Sequence, residues 1–374
     1  MSIYLDYNAT ARVRPESAAA VAAALELGGN PSSVHAAGRK ARALVEDARA
    51  QVARLVGAAD DEITLVSGGT EANALAIASA LAAGAARIIV GATEHEGVVE
   101  NARACAAPGE TWPVDRSGVA DLDWLEDRLA SGPPALVCLM AANNETGVVQ
   151  PVAEAAALVR RLGGWLHVDA VQAAGKIALD VAALGADSLA LSAHKLGGPQ
   201  GAGALVAGPR LSVVRQIHGG GQERGRRSGT ENVPGLAGFG AAAEAARLGL
   251  DELAAQADLR DGLARAAVAE GAEVVGEDAP RLPQTLCFAM PGFESALQVM
   301  ALDLAGVMVS AGAACSSGRV KPSRVVEAMS RPDLAPYAIR VSGGWATTPE
   351  DWTSCAAAWR GIVERRRARA PAAA

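Results

Sequence analysis

Short apolar runs rich in β-forming residues alternate with alanine-rich, helix-like stretches through the first two-thirds of this 374-residue chain. Residues 62–66, 87–90, 135–140, 165–168, 188–191 and 203–206 read as buried strands. Helical patterns such as 70–81 and 152–162 lie between them. A strand that is apolar along its whole length needs cover on both faces, and strand–helix alternation supplies it by laying successive strands parallel. The expected class is α/β, with a mostly parallel central sheet. Ligands in such sheets sit beyond the carboxyl ends of the strands. After about residue 240 the texture changes. A long Ala/Glu/Arg helix pattern covers roughly 241–270. Short runs follow at 273–275, 286–290, 307–309 and 338–341, with helices from Glu294, after Pro322 and from Pro349. That predicts a large unit over 1–244 and a smaller α+β unit over 245–374.

Composition closes off several function classes. Half of the residues are apolar and 20% are charged, which suits a buried core and excludes a disordered chain. The formal net charge of -7 argues against a cationic coat for nucleic acid. The arginines at 365–367 read as a solvated helix end on an acidic protein. No apolar run reaches the ~18 residues of a bilayer span. The first residues show no basic stretch followed by an apolar one, so a cytoplasmic location is the default expectation. The five cysteines (105, 138, 287, 315 and 355) are odd in number, widely spaced and without a CxxC pair. Neither a disulfide framework nor a zinc or other metal site is expected; reduced thiols fit better.

Several clusters follow the strands. Ser192-Ala193-His194-Lys195 comes after one run, and Lys195 is one of only four lysines. Desolvation at the mouth of a parallel sheet lowers a lysine's pKa and makes it nucleophilic toward a carbonyl. Position alone also allows an exposed loop lysine. Asp169 ends the run Trp165-Leu166-His167-Val168 and needs a cationic or hydrogen-bonding partner. A protonated ring nitrogen would serve, and so would the amides of a helix start. Ser67-Gly68-Gly69-Thr70 joins a strand to a helix, where backbone N–H groups can face an anion. Glu94-His95-Glu96 and Asn143-Asn144-Glu145 add polar groups at the same sheet edge. The stretch from His218 to Thr230 is rich in glycine and arginine, which suits backbone approach to an anion or a partner chain, or a solvated loop. In Ser310-Ala311-Gly312-Ala313-Ala314-Cys315-Ser316-Ser317-Gly318 a single cysteine sits among small residues, where a thiol is free to react. The other four cysteines read as packing.

Taken in order along nearly the whole chain, these segments resemble the cysteine desulfurases of the NifS/IscS type. Those belong to the class V aminotransferase family of fold-type I pyridoxal-phosphate enzymes. The matching segments include Tyr4-Leu5-Asp6-Tyr7-Asn8-Ala9-Thr10, Gly29-Asn30-Pro31-Ser32-Ser33, Ser67-Gly68-Gly69-Thr70-Glu71 and Thr93-Glu94-His95. They continue with Asn143-Asn144-Glu145, His167-Val168-Asp169, Ser192-Ala193-His194-Lys195, Arg227-Ser228-Gly229-Thr230, Ala314-Cys315-Ser316 and Arg340-Val341-Ser342.

The resemblance implies a fold-type I architecture, with the N-terminal segment packing on the small C-terminal domain. It implies that Lys195 carries pyridoxal 5'-phosphate covalently, that Asp169 pairs with the ring nitrogen, and that His95 stacks on the ring and takes part in catalysis. Gln172 and Asn144 would bond near the phenolic oxygen, and Asn144 would also lie against the substrate. Gly69, Thr70, Ser192 and His194 would hold the phosphate, with Thr230 reaching in from the other subunit of a homodimer. Arg340 would bind the carboxylate of L-cysteine, and Cys315 would take its sulfur as a persulfide, leaving L-alanine. The sulfur would pass to an acceptor such as an iron–sulfur scaffold protein. A selenocysteine lyase, another class V aminotransferase or lyase, and a non-catalytic sulfur-assembly scaffold would share much of this set. The cysteine argues against a transaminase, and Lys195 with Cys315 against a scaffold. One departure stands out: many relatives continue with Ser-Leu-Gly-Arg where this chain has Ser342-Gly343-Gly344-Trp345.

Overall fold

The computed structural model describes residues 2–312 and 321–369. Seven strands form the larger sheet, in the order Ile63–Val66, Gly203–Ala207, Ser188–Ser192, Trp165–Asp169, Ala135–Met140, Arg87–Gly91 and Gly109–Trp112. Gly203–Ala207 runs antiparallel to both neighbours, and every other pairing is parallel. The reversal follows from chain length. Only residues 193–202 separate Ser188–Ser192 from Gly203–Ala207, fewer than the dozen or so that a parallel crossover needs. The expected mostly parallel α/β sheet is present.

The unbroken apolar runs are buried on both faces, as their composition requires. Alternate residues point to opposite cores. Val137, Leu139, Val168 and Leu191 pack with the helices Ala36–Val56, Val152–Arg161 and Val233–Leu248. Leu136, Cys138, Ala190 and Leu205 face the helices Gly69–Ala82 and Glu96–Arg103. The strand Gly109–Trp112 escaped the sequence reading because it is a partly exposed edge without an apolar run.

A second sheet, wholly antiparallel, orders Ser310–Ala311, Ala338–Ser342, Thr285–Ala289 and Glu273–Val274. Its core joins Leu286 and Phe288 to the helix Pro349–Arg369, with Phe288 and Trp359 edge to face at 5.1 Å. The strand Ile3–Tyr4 pairs in parallel with Val307–Met308, and Leu5 is buried in the same core. The expected long helix over 241–270 is instead three helices, Val233–Leu248, Leu250–Ala254 and Gln256–Ala269. The first starts earlier than its alanine pattern suggests, because the Asn232 side chain accepts from Gly235 N at 3.2 Å and Pro234 suits the first turn. It stops at Gly249.

The glycine- and arginine-rich stretch is pinned rather than loosely solvated. Glu223 reaches into the large unit and grips Arg49 with two bonds of 2.7 and 2.8 Å, while also accepting from Leu65 N at 2.8 Å. Both side chains are 3% exposed. Glu223 and Arg224 adopt positive φ angles of 48° and 56°, a strain that the buried ion pair offsets. Removing the Glu223 charge leaves the buried Arg49 with only the half-exposed Glu46, at 3.0 Å, as its carboxylate partner. Glu223→Gln is therefore expected to cost about 1.5–3 kcal/mol of stability, measured by urea unfolding of the cofactor-free protein against wild type.

Candidate active site

The carboxyl ends of the parallel strands open onto a cavity of about 630 Å³, and the second sheet closes its other side. Lys195, Asp169, His95, Asn144, Gln172 and Arg340 all line it. So do Gly69, Thr70, Ser192 and His194. The parallel topology explains the convergence: Asp169 and Ser192 end neighbouring strands, and Lys195 closes the short helix Ala193–Lys195 just beyond. Thr230 does not line this cavity; it is exposed on the surface. Cys315 lies outside the described residues.

Lys195 Nζ donates to the backbone oxygens of Asn8 at 2.6 Å and Ala9 at 2.7 Å. Burial, and then the Arg340 guanidinium, pull its pKa down to about 8. The amine therefore reaches its nucleophilic form far closer to neutrality than an ordinary lysine. Asp169, 6% exposed, has both oxygens engaged by uncharged donors. Oδ2 accepts from Asn73 Nδ2 at 2.9 Å and Oδ1 from Val171 N at 3.0 Å. His95 caps the helix Glu96–Arg103, its Nδ1 accepting from Gly97 N at 2.9 Å, so Nε2 is its remaining free nitrogen. His194 is pulled down to about 4 by burial, then by Lys195 and Lys176, and its Nδ1 lies 3.1 Å from Thr10 Oγ1.

The N-terminus of the helix Gly69–Ala82 faces the cavity, which suits a phosphate. A side chain at Gly69 would meet Val171 Cγ2 at 2.7 Å, so only glycine lets that helix start lie so close to the strand ends. Across the cavity, Arg340 Nη2 is paired with Asp6 Oδ1 at 2.7 Å and Nη1 with Asn144 O at 3.0 Å. Its buried Nε has no partner among the described residues. A fixed guanidinium with a free N–H suits a carboxylate.

Sequence reasoning missed several residues here. Asn8 is a hub: its backbone oxygen receives Lys195 and Gln172 Nε2, its Oδ1 receives Lys176 Nζ at 3.0 Å, and its Nδ2 donates to Thr285 Oγ1 at 3.0 Å. Lys176, 6% exposed, also donates to Gln172 Oε1 and so sets which way that amide points. Burial, then Lys195 and Arg340, drive its pKa well below the usual lysine range. Its only visible signal is the spacing of four from Gln172. Glu94 is pushed well up by burial and then by the charge on Asp169, toward its neutral acid. Trp345, where many relatives have arginine, turns away from the cavity. It donates from Nε1 to Arg12 O at 2.8 Å and lies under the Arg14 guanidinium, 5.4 Å from its ring centre. Gly344 precedes it because a Cβ there would meet the Tyr7 ring at 2.0 Å.

A mostly parallel sheet with an amine and a carboxylate at adjacent strand ends, closed by a small antiparallel sheet, is the arrangement of fold-type I pyridoxal-phosphate enzymes. The family model for aminotransferase class V matches residues 3–353, and the chain belongs to that family. A cysteine desulfurase of Cereibacter sphaeroides is 46% identical over 361 residues, spanning 93% of this chain and 92% of that protein. The cysteine desulfurase IscS of Dictyoglomus turgidum is 39% identical over 380 residues, spanning 99% and 96%. The solved structure of a NifS-like protein from Rickettsia africae superposes with a TM-score of 0.90 at 31% identity, covering 97% of this chain and all of that one.

One buried group gives the site a pH signature. His167 is fully buried and burial drives its pKa down to about 3, against 6.5 when unfolded. Between those values the unfolded chain binds the extra proton, so stability is lost as pH falls below about 6.5. By pH 5 that amounts to about 2 kcal/mol from this histidine. His167→Gln is expected to remove that share of the loss, measured as unfolding free energy of the cofactor-free protein at pH 7 and pH 5.

Proposed function

We propose that this protein is a cysteine desulfurase that uses pyridoxal 5'-phosphate to take sulfur from L-cysteine, leaving L-alanine. The observation that carries the reading is the convergence of Lys195, Asp169 and Arg340 on one cavity from two different sheets. The names of its relatives agree with it. The cavity fits the cofactor: a softened amine for the aldehyde, an uncompensated carboxylate for the ring nitrogen, and a helix start with Gly69, Thr70, Ser192 and His194 for the phosphate. Bound there, pyridoxal phosphate would supply an electron sink for bond breaking at the substrate's Cα.

The chain's own residues do the rest. Arg340, held in plane by Asp6 and the Asn144 carbonyl, binds the substrate carboxylate. Lys195, whose Nζ lies beside the Asn8 and Ala9 carbonyls, would take the proton from the substrate's Cα and return one to the product. His95, lining the cavity, would lie against the ring, with Nε2 left for proton traffic. Gln172 and Asn144 would hold the ring's phenolic oxygen, and Lys176 fixes the Gln172 amide. The Cys315 thiolate attacks the substrate sulfur: an S–S bond forms, the C–S bond breaks, and its electron pair stays with carbon until protonation gives alanine. The four described cysteines suit that role poorly, since burial raises all of their thiol pKa values, Cys355 to about 12.

The same reading extends outward. Thr230, exposed at the end of the pinned loop, completes the phosphate site of a second copy, so the working form is a homodimer. The persulfide sulfur goes to an acceptor such as an iron–sulfur scaffold protein, serving cluster assembly or other sulfur transfer. The free thiols at 105, 138, 287 and 355 suit a reducing cytoplasm. Among the described residues no helix is long and apolar enough to cross a membrane. The division at 244/245 falls near the end of Val233–Leu248, whose residues pack in the large core, while Leu263 and Ala267 belong to the small one.

Two measurements test this. Covalent uptake of pyridoxal phosphate by the cofactor-free protein is expected to speed up with pH around a midpoint near 8, as Lys195 loses its proton, and to vanish in Lys195→Ala. A midpoint near that of free lysine would reject the softened amine. Cys315→Ser is expected to drop sulfide release from L-cysteine to background while the cofactor spectrum still responds to cysteine. Mass spectrometry of the wild type should find the added sulfur on the peptide holding Cys315 and on none holding the other four cysteines.

A further inference from the structure

A line of buried polar side chains runs from the middle of the large sheet to Asp169. Ser188 Oγ lies 2.8 Å from His167 Nδ1, His167 Nε2 lies 2.9 Å from Asn73 Oδ1, and Asn73 Nδ2 donates to Asp169 Oδ2 at 2.9 Å. Ser188, His167 and Asn73 are each no more than 1% exposed, and only Asn73 touches the cavity. The direction of every bond is forced from one end. An ionised carboxylate only accepts, so Asn73 presents its NH₂ to Asp169. Its oxygen then faces His167, which must hold its proton on Nε2. That leaves Nδ1 bare, and the Ser188 hydroxyl donates to it.

We propose that Ser188, His167 and Asn73 form a neutral hydrogen-bond string that holds the Asp169 carboxylate aimed into the cavity without supplying a countercharge. Asn73 and His167 are positioning residues: they act through Asp169 and carry no part of the reaction. A buried carboxylate is usually stabilised by a cation, and its charge is then spent within the protein. Here dipoles do that work, and the negative charge is left for a cationic ring nitrogen, a consequence that rests on the pyridoxal-phosphate reading above. The surrounding groups fit the same scheme. Among the described residues, the charge on Asp169 raises the pKa values of Glu94, Cys138 and Lys195. Burial pushes the first two toward their uncharged forms, and Lys195 instead bonds the Asn8 and Ala9 carbonyls. The string also ties the strand Trp165–Asp169 to the helix Gly69–Ala82, one turn beyond Gly69, so the ring and phosphate ends of the site share one scaffold.

The experiment has two arms on the full chain. In the cofactor-free protein, imidazole ¹⁵N resonances of the five histidines are followed from pH 5 to 9. His167 is expected to stay neutral with its proton on Nε2, and a proton on Nδ1 or a titration in that range would overturn the string. In the loaded protein, cofactor retention is measured against falling pH. Losing one donor to the carboxylate weakens the site's hold on the cofactor, so the acid limb of retention is expected to rise by about one to two pH units in Asn73→Leu. It should rise in His167→Leu and return to the wild-type position in His167→Gln, which restores a donor toward Asn73. A folded Asn73→Leu with an unmoved acid limb, or a His167→Gln as displaced as His167→Leu, would show that these residues only pack. If Asn73→Leu does not fold, the two His167 variants decide. A wild-type protein that takes up no pyridoxal phosphate would instead reject the proposed function, while the tautomer of His167 still decides the string.

Discussion

The seam made by Leu5 to Arg14 holds the site together. Tyr7 N bonds Ser342 O and Ser342 N bonds Leu5 O, so the segment rides the edge of the small sheet. A few residues on, Ala11 N bonds His194 O and Arg14 N bonds Gly197 O, which fastens it to the loop bearing Lys195. Asn8 sits at the crossing and bonds to both sides. The carboxyl ends of a parallel sheet supply only half a cavity. The other half, with Arg340, is brought up by this seam, and Trp345 clamps it from outside by bonding Arg12.

Within that enclosure, burial sorts the charges. Glu94 and Glu145 are pushed toward their neutral acids, and His167, His194 and Lys176 toward their neutral bases. A low-dielectric pocket tolerates few bare charges, and each survivor here has a partner or a task. Arg340 keeps Asp6. Asp169 is held by an amide and a backbone N–H. Lys195 rests on two carbonyls, which an amine leaves more readily than it leaves a carboxylate.

Much of this was legible in the sequence because the signal was local. An apolar run marks a strand, and the residue after it sits at the mouth of the sheet; Asp169, Ser192 and Lys195 could be placed there on that basis alone. Asn73 had no such marker. It lies inside a helix whose alanine-rich sequence is silent about which face meets a strand end. The Asp6–Arg340 pair joins residues 334 apart, and nothing near either one announces the other. The helix pattern over 241–270 misled for a related reason: alanine reads as helix everywhere, so the break at Gly249 left little trace. Thr230 and Cys315 gain nothing from the geometry, one lying on the surface away from the cavity and the other outside the described residues.

The seam also dictates an order of events during synthesis. Asn8 leaves the ribosome 334 residues before Ser342, its partner on the small sheet. From Arg87–Gly91 onward the large sheet can assemble from nearby segments as they emerge, and Ile63–Val66 joins it once Gly203–Ala207 arrives. The cavity cannot, because its far wall and the groove that receives the N-terminal segment are made last. Through most of translation the segment around Asn8 has no strand to lie against, and Lys195 lacks the arrangement that holds it. Closing so long a loop is entropically costly and slow relative to local pairing. A nascent chain therefore passes through a state with a finished sheet and an open, unready site, and the reactive amine is armed only once the polypeptide is nearly complete.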